Sequence, residues 1–287
     1  MNNVRLLIWV TIAATVFTSC RKEANESIQS AQDNAAIETE YSQVYDVVAD
    51  YVSTNPKTGK TDDLILPSGA TVQFGDTTFT DGDGIDFTIN YGPLDHGGAT
   101  KGILCKDGRY RAGKINVSMD HRWSDINFPN HIYVSIATSD EYYVGNGTKM
   151  YLLSGLKTIT RNSTTSYSVE VTNATFQRDN GTINWNSSRT VTLSYDAGSG
   201  WYNDEYTITG SASGTNVNGV TFNVTTETPL KKKLTLGCLS TFVAGKLLLT
   251  NSNGKVLSIN YDSYNNEACD KAVTVTYNGH SSVIQVW

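Results

Sequence analysis

Residues 166–195 read SYSVEVTNATFQRDNGTINWNSSRTVTLSY, and two kinds of alternation meet in them. Tyr167, Val169 and Val171 are spaced by two, as are Val191, Leu193 and Tyr195, with Ser, Thr or Glu at most positions between. Period two places the apolar set on one side of an extended chain, the pattern of a half-buried antiparallel strand. Between the two runs stands Asn180-Gly181, a dipeptide that accepts the positive φ of tight hairpin turns. The stretch is therefore expected to be a β-hairpin.

The same signals recur outward in both directions. Ile115/Val117/Met119, Ile132/Val134/Ile136 and Val273/Val275/Tyr277 alternate in the same way. Asn-Gly occurs also at Asn146, Asn218, Asn253 and Asn278, and Asp-Gly at Asp81, Asp83 and Asp107. Tight hairpins in series exclude βαβ crossovers and the doubly wound and TIM-barrel folds built from them. From about residue 64 to Trp287 the chain is expected to be an all-β antiparallel hairpin meander. With about twelve to fourteen strands it must bury one face of each by closing into a curved half-barrel or by packing as a β-sandwich.

Before this domain the pattern changes. Ile37, Tyr41, Val44, Val48 and Tyr51 or Val52 recur at three and four, which predicts one amphipathic helix within residues 35–63, ended near Pro56 and Gly59. Its polar face (Glu38, Glu40, Asp46, Asp50) is acidic, so it is expected to pack on the following domain rather than on a membrane surface. Residues 20–34 read as a polar tether.

At the N-terminus, Arg5 precedes a nearly unbroken apolar run from Leu6 to Phe17. That is the layout of a secretory signal over residues 1–19, and the run falls short of the roughly twenty residues a membrane-spanning helix needs. It closes on Phe17-Thr18-Ser19-Cys20, which resembles the lipobox of bacterial lipoproteins, with Phe17 departing from the usual aliphatic residue. The resemblance implies cleavage before Cys20 and lipid attachment to its thiol. At roughly 0.8 kcal/mol per buried CH₂, two or three acyl chains would hold the chain firmly at a membrane.

Charge narrows the partners. Removing residues 1–19 takes away only Arg5, leaving 21 basic against 28 acidic residues, a net of −7. With no basic block longer than Lys231-Lys232-Lys233, nucleic-acid binding is excluded as an expectation, because it rests on neutralising phosphates. Beyond Cys20 there are three cysteines, and an exported chain meets an oxidising compartment. Cys238 and Cys269 are the expected disulfide, since the residues between them read as paired strands that bring the ends together. Cys105 is then left as a buried thiol.

Several constellations could carry chemistry, each with a plainer reading. Asp81, Asp83 and Asp86 alternate like part of a calcium loop, yet the twelfth position from Asp81, where an EF-hand needs Glu, is Gly92. Asp120-His121 and His131 could face each other across a hairpin, but His96, His121, His131 and His280 have no metal-site spacing. Arg109 and Arg111 fall on one face of a strand with Asp107; they could grip an anionic ligand or be tied to internal carboxylates. Trp123, Trp185, Trp201, Tyr142, Tyr143 and Tyr202 lie near turns and could form a sugar-binding platform, or fill the core. No Gly-x-Ser-x-Gly elbow or carboxylate couple stands out, so no enzyme, cofactor or metal is expected.

One resemblance reaches across residues 65–287. Ile89-Asn90-Tyr91-Gly92, the run Cys105 to Gly113, Asn184-Trp185 with Arg189, Tyr206 to Gly214, Thr228-Pro229-Leu230, Cys238 and Cys269-Asp270 follow in an order similar to a family of outer-membrane lipoproteins of Bacteroidota that has no established activity. Family members often carry another cysteine shortly before the Ile-Asn-Tyr-Gly strand, and none stands between Cys20 and Cys105 here. The resemblance implies a lipid-anchored envelope protein, most simply a non-enzymatic binding or scaffolding module. The alternatives left open are a carbohydrate-binding surface lipoprotein and a carrier of a lipid or other apolar ligand, with a membrane, a glycan, a lipid or an envelope protein as partner. Ile89-Asn90-Tyr91 also matches Ile259-Asn260-Tyr261, which an internal duplication would explain.

Overall fold

A computed structural model describes residues 28–44, 46–48, 67, 69–95, 97–123, 125–198, 203–235, 238–239 and 241–286. The signal segment, Cys20, Asp50, His96, Trp201 and Tyr202 lie outside the described residues.

Among the described residues, sixteen antiparallel strands form a single open sheet rather than two packed ones. In order they are β1 (Thr71–Phe74), β2 (Ile85–Asn90), β3 (Ile103–Leu104), β4 (Tyr110–Ala112), β5 (Lys114–Met119), β6 (Asn130–Ile136), β7 (Tyr143–Gly145) and β8 (Met150–Arg161). The longer second half comprises β9 (Ser166–Arg178), β10 (Gly181–Tyr195), β11 (Glu205–Thr215), β12 (Thr221–Lys233), β13 (Ala244–Asn251), β14 (Val256–Asn260), β15 (Ala272–Tyr277) and β16 (His280–Gln285). Neighbours run β1-β2-β5-β6-β8 and then consecutively to β16, while β3, β4 and β7 form a side branch that rejoins at β8. Four of the five Asn-Gly pairs fall in hairpin connections, between β7 and β8, β11 and β12, β13 and β14, and β15 and β16; at the fifth, Gly181 is already the first residue of β10 and pairs with Arg178, so Asp179 and Asn180 make the turn between β9 and β10. In the β15–β16 connection, Asn278 and Gly279 both take positive φ (48° and 78°) between the paired residues Tyr277 and His280, the backbone a type I′ turn demands.

The sheet keeps one face dry by curling over α1, a helix spanning residues 28–48. Its described part thus reaches into the stretch that reads as tether, and at 1.5 Å per residue residues 28–48 cover roughly 30 Å. Sequence periodicity shows only its apolar stripe, yet the burial is nearly all round. Ala31, Ala35, Ile37, Tyr41, Val44 and Val48 join one core cluster with side chains from strands β2 to β15. Ser30, Asp33, Asn34, Glu38, Glu40, Gln43 and Asp46 are buried as well. A helix carrying so many polar groups can be enclosed only if each finds a partner in the sheet.

Room for it is cut into the strands. Gly155 sits at a bulge in β8 with φ of +147°, and a Cβ there would come within 2.3 Å of the Tyr41 hydroxyl oxygen. Tyr41 Oη uses that gap to donate a 2.6 Å hydrogen bond to the Ser154 carbonyl.

The two Ile-Asn-Tyr segments end in the same geometry. Asn90 and Asn260 side chains accept hydrogen bonds from the backbone N–H two residues on, at 2.8 and 3.1 Å. The Tyr91 and Tyr261 backbones then donate to Gly113 and Gly245, each the middle of an Ala-Gly-Lys triplet.

Candidate functional site

Most of the buried charges gather between α1 and the sheet. Every second residue of an enclosing strand points inward, and at several inward positions the residue is basic: Arg111 on β4, Lys157 on β8, Arg189 on β10 and Lys232 on β12, joined by Arg109 just before β4. The helix answers with acids. Glu40 pairs with Arg109, Glu38 with Arg189, and Asp46 with Lys232 at 2.6 Å. Arg111 is held bidentately by Asp107 at 2.8 and 2.6 Å, and also donates to the Tyr142 hydroxyl and the Gln43 carbonyl oxygen. Neutral pairs complete the seam: Trp185 Nε1 donates to Asn34 Oδ1 at 3.0 Å, and Asn216 Nδ2 to Ser30 Oγ at 2.9 Å.

Burial tunes these groups. It pushes the Glu40 and Asp46 carboxyls up, against the pull of Arg109 and Lys232. It works on Asp107 too, but there Arg111 and Arg109 outweigh it and hold the carboxyl below its usual range. Lys157 is lowered to about 7 by burial, with Asp46 opposing and Lys232 reinforcing the shift, and its ammonium donates to the Tyr41 carbonyl at 2.5 Å.

Beside this seam a cavity of about 60 Å³ is bordered by Glu38, Asp46, Lys157, Arg189 and Lys232 on one side and by Trp185, Tyr206 and Phe242 on the other. Arg189 Nε and Nη1 and Asp46 Oδ1 find no hydrogen-bond partner among the described residues. A water needs roughly 10–15 Å³ by this kind of measure and two or more polar neighbours, so the cavity suits a few bridging waters.

The sequence-derived candidates are dispersed by the fold. Arg109 and Arg111 do not form an exposed anion grip; both are buried and tied to carboxylates. Trp185 is 2% exposed and belongs to the core, so it cannot share a sugar platform with Trp123. Trp123 itself is half-buried, edge-on to Tyr167 with the Arg161 guanidinium over its ring, and Tyr142 is buried. Trp201 lies outside the described residues.

Of the loop acids, Asp81 and Asp83 stand with Asp76 rather than Asp86, their ligand oxygens within 4.8 Å of one another, while Asp86 projects from β2. His121 and His131 both lean on the Asp120 carboxylate, at 3.1 and 2.5 Å. Cys238 and Cys269 are joined by a disulfide with Cα atoms 4.9 Å apart, and Cys105 is a buried free thiol whose pKa burial raises.

Sequence reasoning passed over Lys157, Arg189 as a helix partner, and Lys232. One signal was available: Arg189 keeps the parity of Ile183, Trp185 and Val191, so a charge stood at an inward position of β10. Comparison with known proteins finds no matching family model, no matching curated protein and no matching solved structure.

Proposed function

We propose that this chain is a lipid-anchored lipoprotein of the cell envelope, held at the outer membrane through Cys20 and serving as a non-enzymatic binding or scaffolding module of the kind its Bacteroidota resemblance implies. The observation that carries the reading is the position of α1. Only a few residues separate Cys20 from a helix that is enclosed by the sheet and cross-linked to it by buried ion pairs. An anchor attached there holds the whole β domain by its core, which suits a module that presents a surface at a fixed place. The ionisable groups brought together inside are engaged with one another, which favours a structural use of them over catalysis.

The cavity beside the helix is far below the roughly 300–1,000 Å³ of small-molecule pockets, so carriage of a lipid in the concave sheet would require α1 to leave. Labelling cells with an alkyne-bearing fatty acid tests the anchor. The chain should take up label and fractionate with outer membranes, and Cys20→Ala should lose both. Equal labelling of Cys20→Ala, or recovery of the unmodified chain in the soluble fraction, would refute the proposal.

A further inference from the structure

The outer, convex face of the sheet carries a groove that none of the preceding residues explains. Register aligns Asp86 on β2 with Ser118 on β5 and Tyr133 on β6, and the next outward row aligns Thr88, Asn116 and Ser135. Between Tyr133 and Gly75 these residues border a hollow of about 240 Å³. Two residues further along the same strands, Asn90 and Lys114 floor a second hollow of about 270 Å³, bounded by Asp140 and Glu141. Two residues of strand are roughly 7 Å, so the hollows form one track along β2 and β5.

Its parts are fixed before any ligand arrives. Thr88 Oγ1 donates to Asn116 Oδ1 at 2.9 Å, and Asn116 Nδ2 donates to Asp140 Oδ2 at 2.9 Å, linking the two hollows. Tyr133 is 44% exposed, and its ring lies nearly parallel to that of His131, with 5.7 Å between centroids and 14° between planes. His131 is in turn gripped by Asp120, through its backbone N–H at 2.7 Å and its ring at 2.5 Å. Leu156, 48% exposed on β8 opposite Ser135, extends the apolar surface beside Tyr133.

The chemistry selects a class of ligand. An exposed aromatic face takes up apolar C–H surface, and a ring of hydroxyls and an amide exchanges hydrogen bonds with neutral hydroxyl groups. Asp86 and no Lys or Arg border the first hollow, and in the second Lys114 stands with Asp140 and Glu141, so an anion meets a net like charge along the track. An acyl chain would leave the polar rim unsatisfied. Sugar rings present both required faces at once.

We infer that the convex face of β2, β5 and β6 binds a neutral oligosaccharide, with Tyr133 stacking on one sugar ring and Thr88, Asn116, Ser118 and Ser135 exchanging hydrogen bonds with its hydroxyls. This goes beyond the anchored-module reading and does not rest on it, since it is argued from the side chains of β2, β5 and β6 alone.

The test is affinity electrophoresis and biolayer interferometry of the purified full chain in detergent, against α-mannan, xylan, galactan and mixed-linkage β-glucan, with alginate as an anionic arm. At least one neutral polymer should bind. Tyr133→Ala should weaken that binding about tenfold or more, Tyr133→Phe should retain it, and Tyr195→Ala, an exposed tyrosine on β10, should leave it unchanged. Unaltered thermal unfolding of Tyr133→Ala will show that the loss is local. Silence across the neutral polymers, binding to alginate alone, or undiminished binding by Tyr133→Ala would overturn the inference.

Discussion

Replacing Lys157 by Met should make the protein's stability respond differently to pH, and the size of the effect follows from where the amine sits. Its side chain is enclosed on β8, with its charged form disfavoured by burial, so its pKa falls from 10.5 to about 7 in the folded chain. Between those two values the unfolded chain binds a proton that the native chain does not. Wild-type stability therefore rises with pH across that window, by up to about 1.4 kcal/mol per unit from this group. Below about pH 7 the native amine is also charged, and the full penalty, roughly 5 kcal/mol from the difference in pKa, is present. Methionine keeps the length and the apolar stem and removes the titration. The variant should thus gain most over wild type near pH 6, and the gain should shrink toward pH 10, where the remaining difference is the lost hydrogen bond to the Tyr41 carbonyl. Urea unfolding of both proteins at about pH 6, 8 and 10 measures it. The comparison reads the Lys157 amine together with its coupling to Asp46, whose carboxyl loses the pull of that charge in the variant. A difference that stays constant within about 1 kcal/mol over this range would show that the folded amine is charged throughout, and the reasoning would fail.

Other perturbations probe the seam and its supports. Glu38→Leu should cost about 3–5 kcal/mol by stranding the buried Arg189, whereas adding Arg189→Met should restore most of it; equal losses in the single and double variants would contradict the pairing. Gly155→Ala should cost about 1–3 kcal/mol in denaturant unfolding, because the new methyl meets the Tyr41 hydroxyl and a φ of +147° is strained for alanine. Opening the Cys238–Cys269 bond, by reduction or by Cys269→Ala, releases a 31-residue separation. It should lower stability by about 3–4 kcal/mol on the chain-entropy model, and an unchanged melting temperature would argue that the link is not formed in solution.

The hairpins were legible because their signals are local. An alternation of six residues and a turn dipeptide fit within one glance at the sequence, as Tyr167/Val169/Val171 and Asn278-Gly279 illustrate. What was not legible is the setting of the helix. The apolar stripe of Ile37, Tyr41, Val44 and Val48 predicts one buried face, yet Glu38, Glu40 and Asp46 are equally enclosed. Their burial depends on Arg109, Arg189 and Lys232, each on a different part of the sheet and 69 to 186 residues away. No window of sequence contains both partners. The same limit governs the candidate sites. Arg109 and Arg111 are spaced for an anion grip whether or not a helix lies over them, and Trp185 stands near a turn whether or not Asn34 meets its indole. Tyr133 was hidden for another reason. Its partners Ser118 and Thr88 come from two other strands, so only register assembles the groove.

The helix that stands first in the chain also sets the order in which the chain can finish. A polypeptide emerges N-terminus first, from a ribosome or from a translocation channel, and residues 28–48 leave long before their partners. Arg109 follows Glu40 by 69 residues, Trp185 follows Asn34 by 151, and Lys232 follows Asp46 by 186. Glu40 can meet Arg109 early, but Asp46 can meet Lys232 only after β12 has appeared, so the seam closes from one end to the other as the chain lengthens. Contacts of such long separation belong to slow-folding topologies. The carboxylates that make the helix costly to bury are the same groups that keep it soluble while it waits.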